Sequence, residues 1–146
     1  MNYVVCGPPG SGKSTFVQNS ARFGDLIVDL DEIFRAISGL PMYEKPETLL
    51  PFAIKIKNTL IDAVAAGENK YTNAWIITSG SAAKERDYLA RRLRAKVYVL
   101  EVSAMTCARR ISKDDRRKDK VQLWMPIIEK WWREYRRRDG DVIIDG

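Results

Sequence analysis

The stretch CGPPGSGKST, Cys6 to Thr15, follows directly on the apolar run Tyr3–Val5. From Gly7 to Ser14 it fits the spacing G-x-x-x-x-G-K-[ST] at every fixed position. A strand ending at Cys6 and a helix opening at Lys13 would leave Gly7, Pro8, Pro9, Gly10, Ser11 and Gly12 in a bend. Glycines allow successive backbone N–H groups of such a bend to converge on one anion, and the helix N-terminus adds its positive end. Lys13 then reaches the β- and γ-phosphates, the Ser14 hydroxyl ligates Mg²⁺, and Thr15 belongs to the first turn of the same cradle. The stretch therefore predicts a bound nucleoside triphosphate with magnesium, and leaves open what is done with the phosphate.

Outward from this stretch the chain alternates between two patterns. Short runs rich in Val and Ile read as buried strands at Tyr3–Cys6, Leu26–Asp29, Ala74–Thr78, Lys96–Val102 and Val142–Asp145. Helical spacing occupies Lys13–Ser20, Glu32–Ile37, Glu47–Ala66, Ala82–Leu93 and Ala104–Ile111, and a last helix is expected from Pro126, a residue favoured at the first helical position. On that helix Ile127, Ile128, Trp131 and Tyr135 fall on one apolar stripe. Alternating strands and helices predict a parallel sheet covered on both faces, a three-layer α/β/α P-loop NTPase domain. The 146 residues are expected to form one domain, 1–146.

Composition narrows the chemistry. Histidine is absent, so a proton acceptor near neutral pH has to be a carboxylate or a tuned lysine. Two cysteines without paired spacing, Cys6 and Cys107, read as small buried hydrophobes rather than a zinc or disulfide framework. No stretch approaches the length of a membrane helix and no signal segment is seen, so the expected location is cytoplasmic, without membrane partners. The net charge of +6 is uneven: residues 109–138 carry 12 basic and 5 acidic side chains, and residues 1–108 carry 13 and 11.

The acids that matter follow strand two, in LIVDLDEIFRAISG. Asp29 at the strand end and Asp31 just beyond it lie at the edge where open parallel sheets gather ligands. Asp31 is the candidate base for phosphoryl transfer and Asp29 orients Mg²⁺; the alternative for Asp31 is a cap on a helix starting at Glu32. Arg35, one helical turn beyond Asp31, either holds an anionic group of the acceptor or pairs with Asp31.

The cradle, the DLD at the end of strand two, the step to FRAISG, and the strand VLEV followed by SAMTCARR resemble the small P-loop kinases, the polynucleotide, shikimate and adenylate kinase group. The chain is also similar to short ATP-binding proteins of this group found in bacteriophages. The resemblance implies ATP as donor and the strand order 2-3-1-4-5. It also implies a basic lid after the helix that follows strand four, Lys13 and Ser14 at nucleotide and metal, Asp31 as catalytic carboxylate and Arg110 as the first lid arginine. Third strands of many ATPases end in an acid, whereas WIITSGS ends in Thr78, Ser79 and Gly80, which disfavours a hydrolytic motor. Weak discrimination between ATP and GTP is expected.

The lid is placed at about residues 109–121, with Arg110 and Arg116 set around the migrating charge and Arg109 and Arg117 as alternatives. The other reading of SKDDRRKDK (Ser112–Lys120) is a solvated loop. The acceptor side is expected between Gly39–Pro51 and Ser79–Arg86, where Arg86 either binds an acceptor anion or is an exposed helix arginine. Together these residues predict an ATP- and Mg²⁺-dependent phosphotransferase acting on a nucleotide, a polynucleotide end or a small hydroxyl compound. The rival is an adaptor ATPase whose nucleotide state sets its affinity for DNA or protein. It draws on WWREYRRR (Trp131–Arg138), where Trp132 would stack on bases and Arg136–Arg138 would meet phosphates.

Overall fold

Five parallel strands make one sheet in the order β2-β3-β1-β4-β5 in a computed structural model that describes residues 1–67 and 70–146. The strands are β1 (Asn2–Cys6), β2 (Leu26–Asp29), β3 (Ala74–Thr78), β4 (Ala95–Glu101) and β5 (Asp141–Asp145). The helices are α1 (Lys13–Ser20), α2 (Leu30–Ser38), α3 (Leu50–Ala65), α4 (Ala83–Leu93), α5 (Ala104–Ser112) and α6 (Val121–Glu134).

Two cores form because the strands alternate which side chain they send to each face. On one face Val4, Cys6, Val28, Ile76, Val97 and Val99 pack with Ile61 and Val64 of α3 and Leu89 and Leu93 of α4. On the other, Val5, Trp75, Ile77 and Leu100 pack with Val17 of α1, Cys107 and Ile111 of α5 and Ile128 of α6. Burial on both sides is why β1 and β3 read as unbroken apolar runs. The register Cys6 opposite Thr78 and Asp29 opposite Ile77 aligns the carboxyl ends of β1, β2 and β3 along one edge.

The chain departs from the sequence-based reading at three helix starts, one of them α3, which opens at Leu50 behind a 3₁₀ turn at Glu47–Leu49 rather than at Glu47. α2 begins at Leu30 with Asp29 as its cap: the Asp29 carboxylate accepts the Asp31 N–H at 3.0 Å. Asp31 is thus not the cap but a first-turn residue, free to present its carboxylate elsewhere. α6 begins at Val121, and Pro126 lies inside it. Trp124 on the preceding turn packs edge-on against Tyr43, ring centroids 5.6 Å apart, and this contact together with the burial of Ile128 and Trp131 holds the helix through the proline. Ile127 is exposed, at the edge of the helix face that buries Ile128 and Trp131, and so falls off the buried stripe.

Candidate active site

The bend after β1 is built as its glycines require. Gly10 and Gly12 have φ of +81° and +91°, and a Cβ on Gly10 would stand 2.7 Å from the Cys107 carbonyl of α5. Only glycine is unstrained in that backbone region, and here there is also no room for more. Gly7 N–H donates to the Ser79 carbonyl (3.2 Å), which ties the bend to the end of β3. Ser11 is buried, and its hydroxyl has no hydrogen-bond partner among the described residues. Gly12 caps α1, whose first turn carries Lys13, Ser14 and Thr15.

Lys13 folds back over the bend, donating from Nζ to the carbonyls of Gly7 (2.7 Å) and Pro8 (3.1 Å). Burial pushes its pKa down to about 8, opposed by the nearby carboxylates of Asp31 and Asp29. Burial also raises the Asp29 pKa, and the neighbouring Asp31 charge raises it further. Ser14 Oγ lies 3.4 Å from Asp29 Oδ2. A hydroxyl and a carboxylate side by side, beside a second carboxylate, are the hard oxygen donors that magnesium takes, with phosphate oxygens and water filling the remaining positions. These residues fit the ion, and among the described residues no larger cluster of acids or cysteines competes for it.

A cavity of about 510 Å³ opens in front of the bend. Pro9, Gly10, Gly12, Lys13, Ser14, Thr15, Asp29 and Asp31 line its inner end, and Arg110 and Arg116 reach it from the basic segment. Arg110 is fixed on the donor side, its guanidinium donating to the Ser11 carbonyl at 3.0 Å. The same lining includes Arg117, the alternative lid arginine, and Tyr43 and Lys45 from the Gly39–Pro51 stretch expected on the acceptor side, and adds three side chains the sequence reading did not select: Lys57, Asp114 and Trp124. Asp114 accepts from both Arg116 (2.9 Å) and Arg117 (3.0 Å), and these partners hold its pKa down to about 2. The Arg117 guanidinium lies over the Tyr43 ring at 4.3 Å and over Trp124 at 5.3 Å. The segment before α3 and the segment before α6 therefore meet across the mouth.

Two predicted acceptor residues are placed elsewhere. Arg35 is exposed, outside the cavity lining, and its nearest acid is Glu32 at 3.9 Å. Asp31 pairs instead with Lys45, carried over it by the proline-rich segment. Arg86 is neither an acceptor ligand nor an exposed helix residue. It is fully buried, donating to the carbonyls of Gly80 (2.7 Å), Ser81 (2.9 Å) and Arg136 and pairing with Asp141 at 3.1 Å. In the C-terminal cluster the rings of Trp131 and Tyr135 are buried, while Arg136 and Arg137 are exposed. Trp132 is half-buried with its indole N–H on the Val102 carbonyl (3.1 Å), Arg137 is paired with Glu101 at 2.8 Å, and Arg138 lies 3.4 Å from Asp141.

Comparison with solved structures places this geometry among P-loop kinase folds. A shikimate kinase from Bacteroides thetaiotaomicron matches with a TM-score of 0.62 and 15% identity over 99% of this chain and 86% of its own. A gluconokinase from Sinorhizobium meliloti 1021 gives 0.59 and 16%, covering 99% of this chain and 81% of that one. A chain of the Pnkp1/Rnl/Hen1 RNA repair complex gives 0.60 and 17% over 92% of this chain and 46% of its own. At such identities the likeness is one of fold. No curated protein matches the sequence. Among the described residues no helix is long and apolar enough to cross a membrane. A family model described as AAA domain matches residues 3–138, and the chain, a small P-loop NTPase with the kinase-type sheet order, belongs to that family.

Proposed function

We propose that this protein is an ATP- and Mg²⁺-dependent phosphotransferase, moving the γ-phosphoryl group to the hydroxyl of an acceptor held at the far end of the cavity. The observation that carries this reading is the continuity of one cavity from the glycine-lysine bend, past Asp29 and Asp31, to the cationic and aromatic mouth. A pure hydrolase needs no room for an acceptor beside the carboxylates.

In this reading Lys13 exchanges its two carbonyl partners for phosphate oxygens, and Ser14 with Asp29 holds magnesium, which neutralises charge on the phosphates. Asp31 accepts the proton of the acceptor hydroxyl as the new P–O bond forms and the bond to the β-phosphate oxygen breaks, leaving ADP. Lys45 has to release Asp31 as the acceptor enters. Arg110 and Arg116 supply positive charge around the migrating group, and segment 112–121 serves as the lid that excludes water, the competing acceptor. Acceptors within reach of this chemistry are nucleotides, polynucleotide ends and small hydroxyl compounds. The contacts of Trp132 with the Val102 carbonyl and of Arg138 with Asp141 favour the phosphotransferase over a nucleic-acid adaptor, whose contacts would draw on those side chains.

The test is incubation with γ-labelled ATP and a panel of nucleosides, oligonucleotide 5′ ends and small metabolites. Transfer of label to one acceptor class, absent in Asp31→Asn, is the expected result. Release of free phosphate alone, at a rate no acceptor raises, would falsify it.

A further inference from the structure

Six cationic side chains and three carboxylates line the main cavity. Five of the cations are engaged. Lys13 donates to loop carbonyls, Arg110 to the Ser11 carbonyl, Lys45 pairs with Asp31, and Arg116 and Arg117 pair with Asp114. Lys57 is the sixth, and among the described residues it makes no ion pair and no side-chain hydrogen bond.

Its position on α3 is unusual for a lysine. Ala53, Ile61 and Val64 are the buried residues of that helix, and Lys57 falls on the same inward line, at intervals of four, four and three residues. The outward side of the helix meanwhile leaves Phe52, Ile54 and Ile56 exposed. A lysine serving only solubility belongs on that outward side. Instead Lys57 is half-buried and lines the cavity, and the acids acting on it are Glu85, Asp29 and Asp31. Asp29 ends β2, Asp31 follows it and Glu85 lies in the first turn of α4 beyond β3. Desolvation there lowers the lysine's pKa, as expected of a cation waiting for a counter-charge.

We infer that the acceptor end of the cavity is an anion subsite centred on Lys57, so that the acceptor is a hydroxyl compound bearing its own carboxylate or phosphate group rather than a neutral sugar or nucleoside. The acceptor role of the bound anion rests on the phosphotransferase reading; the anion subsite stands apart from it and is measured without turnover. Lys57 anchors the anionic group and leaves the hydroxyl to reach Asp31. The Arg116 side chain, once drawn off Asp114, reinforces the same charge.

The experiment loads the full chain with magnesium and a non-hydrolysable ATP analogue, then titrates inorganic phosphate and, separately, acetate at constant ionic strength. Binding is read from the amide NMR shifts of residues 53–61 and 78–80. Saturable shifts are expected with at least one of the two anions, and which one binds distinguishes a phosphate ester from a carboxylate. Lys57→Met, which keeps the stem, should weaken that binding by about tenfold or more, and Lys57→Arg should keep it within about threefold, with analogue affinity unchanged in both. Removing a desolvated charge should leave the Lys57→Met protein at least as heat-stable as the wild type. Equal anion affinity in Lys57→Met, or no saturable anion binding in the loaded wild type, overturns the inference. So does a loss of analogue affinity in Lys57→Met, which would assign the lysine to the donor. If the wild type fails to bind the analogue, the phosphotransferase reading falls instead. The anion titration is then run on Lys13→Ala, with and without the added Lys57→Met substitution, and the difference in anion affinity between those two proteins decides the subsite.

Discussion

Lys13 sits in a nearly closed bend where its charge is costly until a phosphate arrives. Its folded pKa of about 8 lies below the ordinary lysine value, so raising the pH through 8 discharges it in the empty protein. Folding itself is penalised by the charged form, and that penalty fades as pH rises from 8 towards the unfolded value. Nucleotide binding runs the other way, because a triphosphate stabilises the ammonium. ATP affinity should therefore fall between pH 7 and pH 9, and binding above pH 8 should take up a proton. Calorimetry in buffers of different ionisation enthalpy measures this, and Lys13→Ala should abolish both the affinity and the proton uptake. Asp31→Asn should lower transfer about 10²- to 10⁴-fold while ATP binding persists, checked by single-turnover kinetics beside a binding titration. The residues of the bend were legible in the sequence because their job is done by backbone within a few positions of each other. Lys57 was not, because it faces the cavity only after α3 has docked, and Lys45 and Tyr43 were legible only as part of the Gly39–Pro51 stretch, their partners being set by how that segment docks.

Helix α4 carries a signal that points two ways in the sequence. Arg86, Leu89 and Leu93 share one inward stripe, the residues of α4 that are buried. That spacing puts the arginine in the core, yet an arginine on a highly charged helix reads as a surface or substrate residue, and the structure decides for the core. Its guanidinium fastens the turn after β3, through the Gly80 and Ser81 carbonyls, to Asp141 at the start of β5. Gly80 permits this approach: with φ of +54°, its absent Cβ would stand 2.4 Å from Cys6 Sγ. Arg86→Met should cost about 3–5 kcal/mol, since it breaks a buried ion pair and leaves the Asp141 carboxylate to Arg138 alone, and chemical denaturation will measure it. Acceptor affinity should survive in the folded fraction, where an acceptor-binding arginine would predict its loss. Gly10→Ala, at the contact between the bend and α5, should lose both stability and ATP binding, because backbone and Cys107 must move to admit a methyl group.

Across the molecule, the order β2-β3-β1-β4-β5 brings α2, the turn after β3, the bend after β1 and α5 to one edge, so that donor and acceptor ends share one cavity. At the mouth Tyr43, itself at φ of +72°, is gripped between Arg117 and Trp124, while Asp114 holds the two lid arginines. Phosphates entering the site compete with Asp114 for Arg116. Tryptic cleavage within 113–120 should consequently slow several-fold when an ATP analogue and magnesium are added, and Tyr43→Ala should speed cleavage in the empty protein. Unchanged cleavage on adding the analogue would count against a closing lid. The sheet class, the strand count and the phosphate cradle were fixed by local pattern alone, since period-two and period-3.6 apolar spacing and a glycine-lysine bend act over neighbouring residues. Which cation meets which acid was settled by packing: Lys45 on Asp31, Arg86 on Asp141 and Lys57 turned inward all join segments distant along the chain. Long-range pairing leaves no periodic trace, because the partner of a charged side chain depends on how helices seat on the sheet and not on the residues beside it.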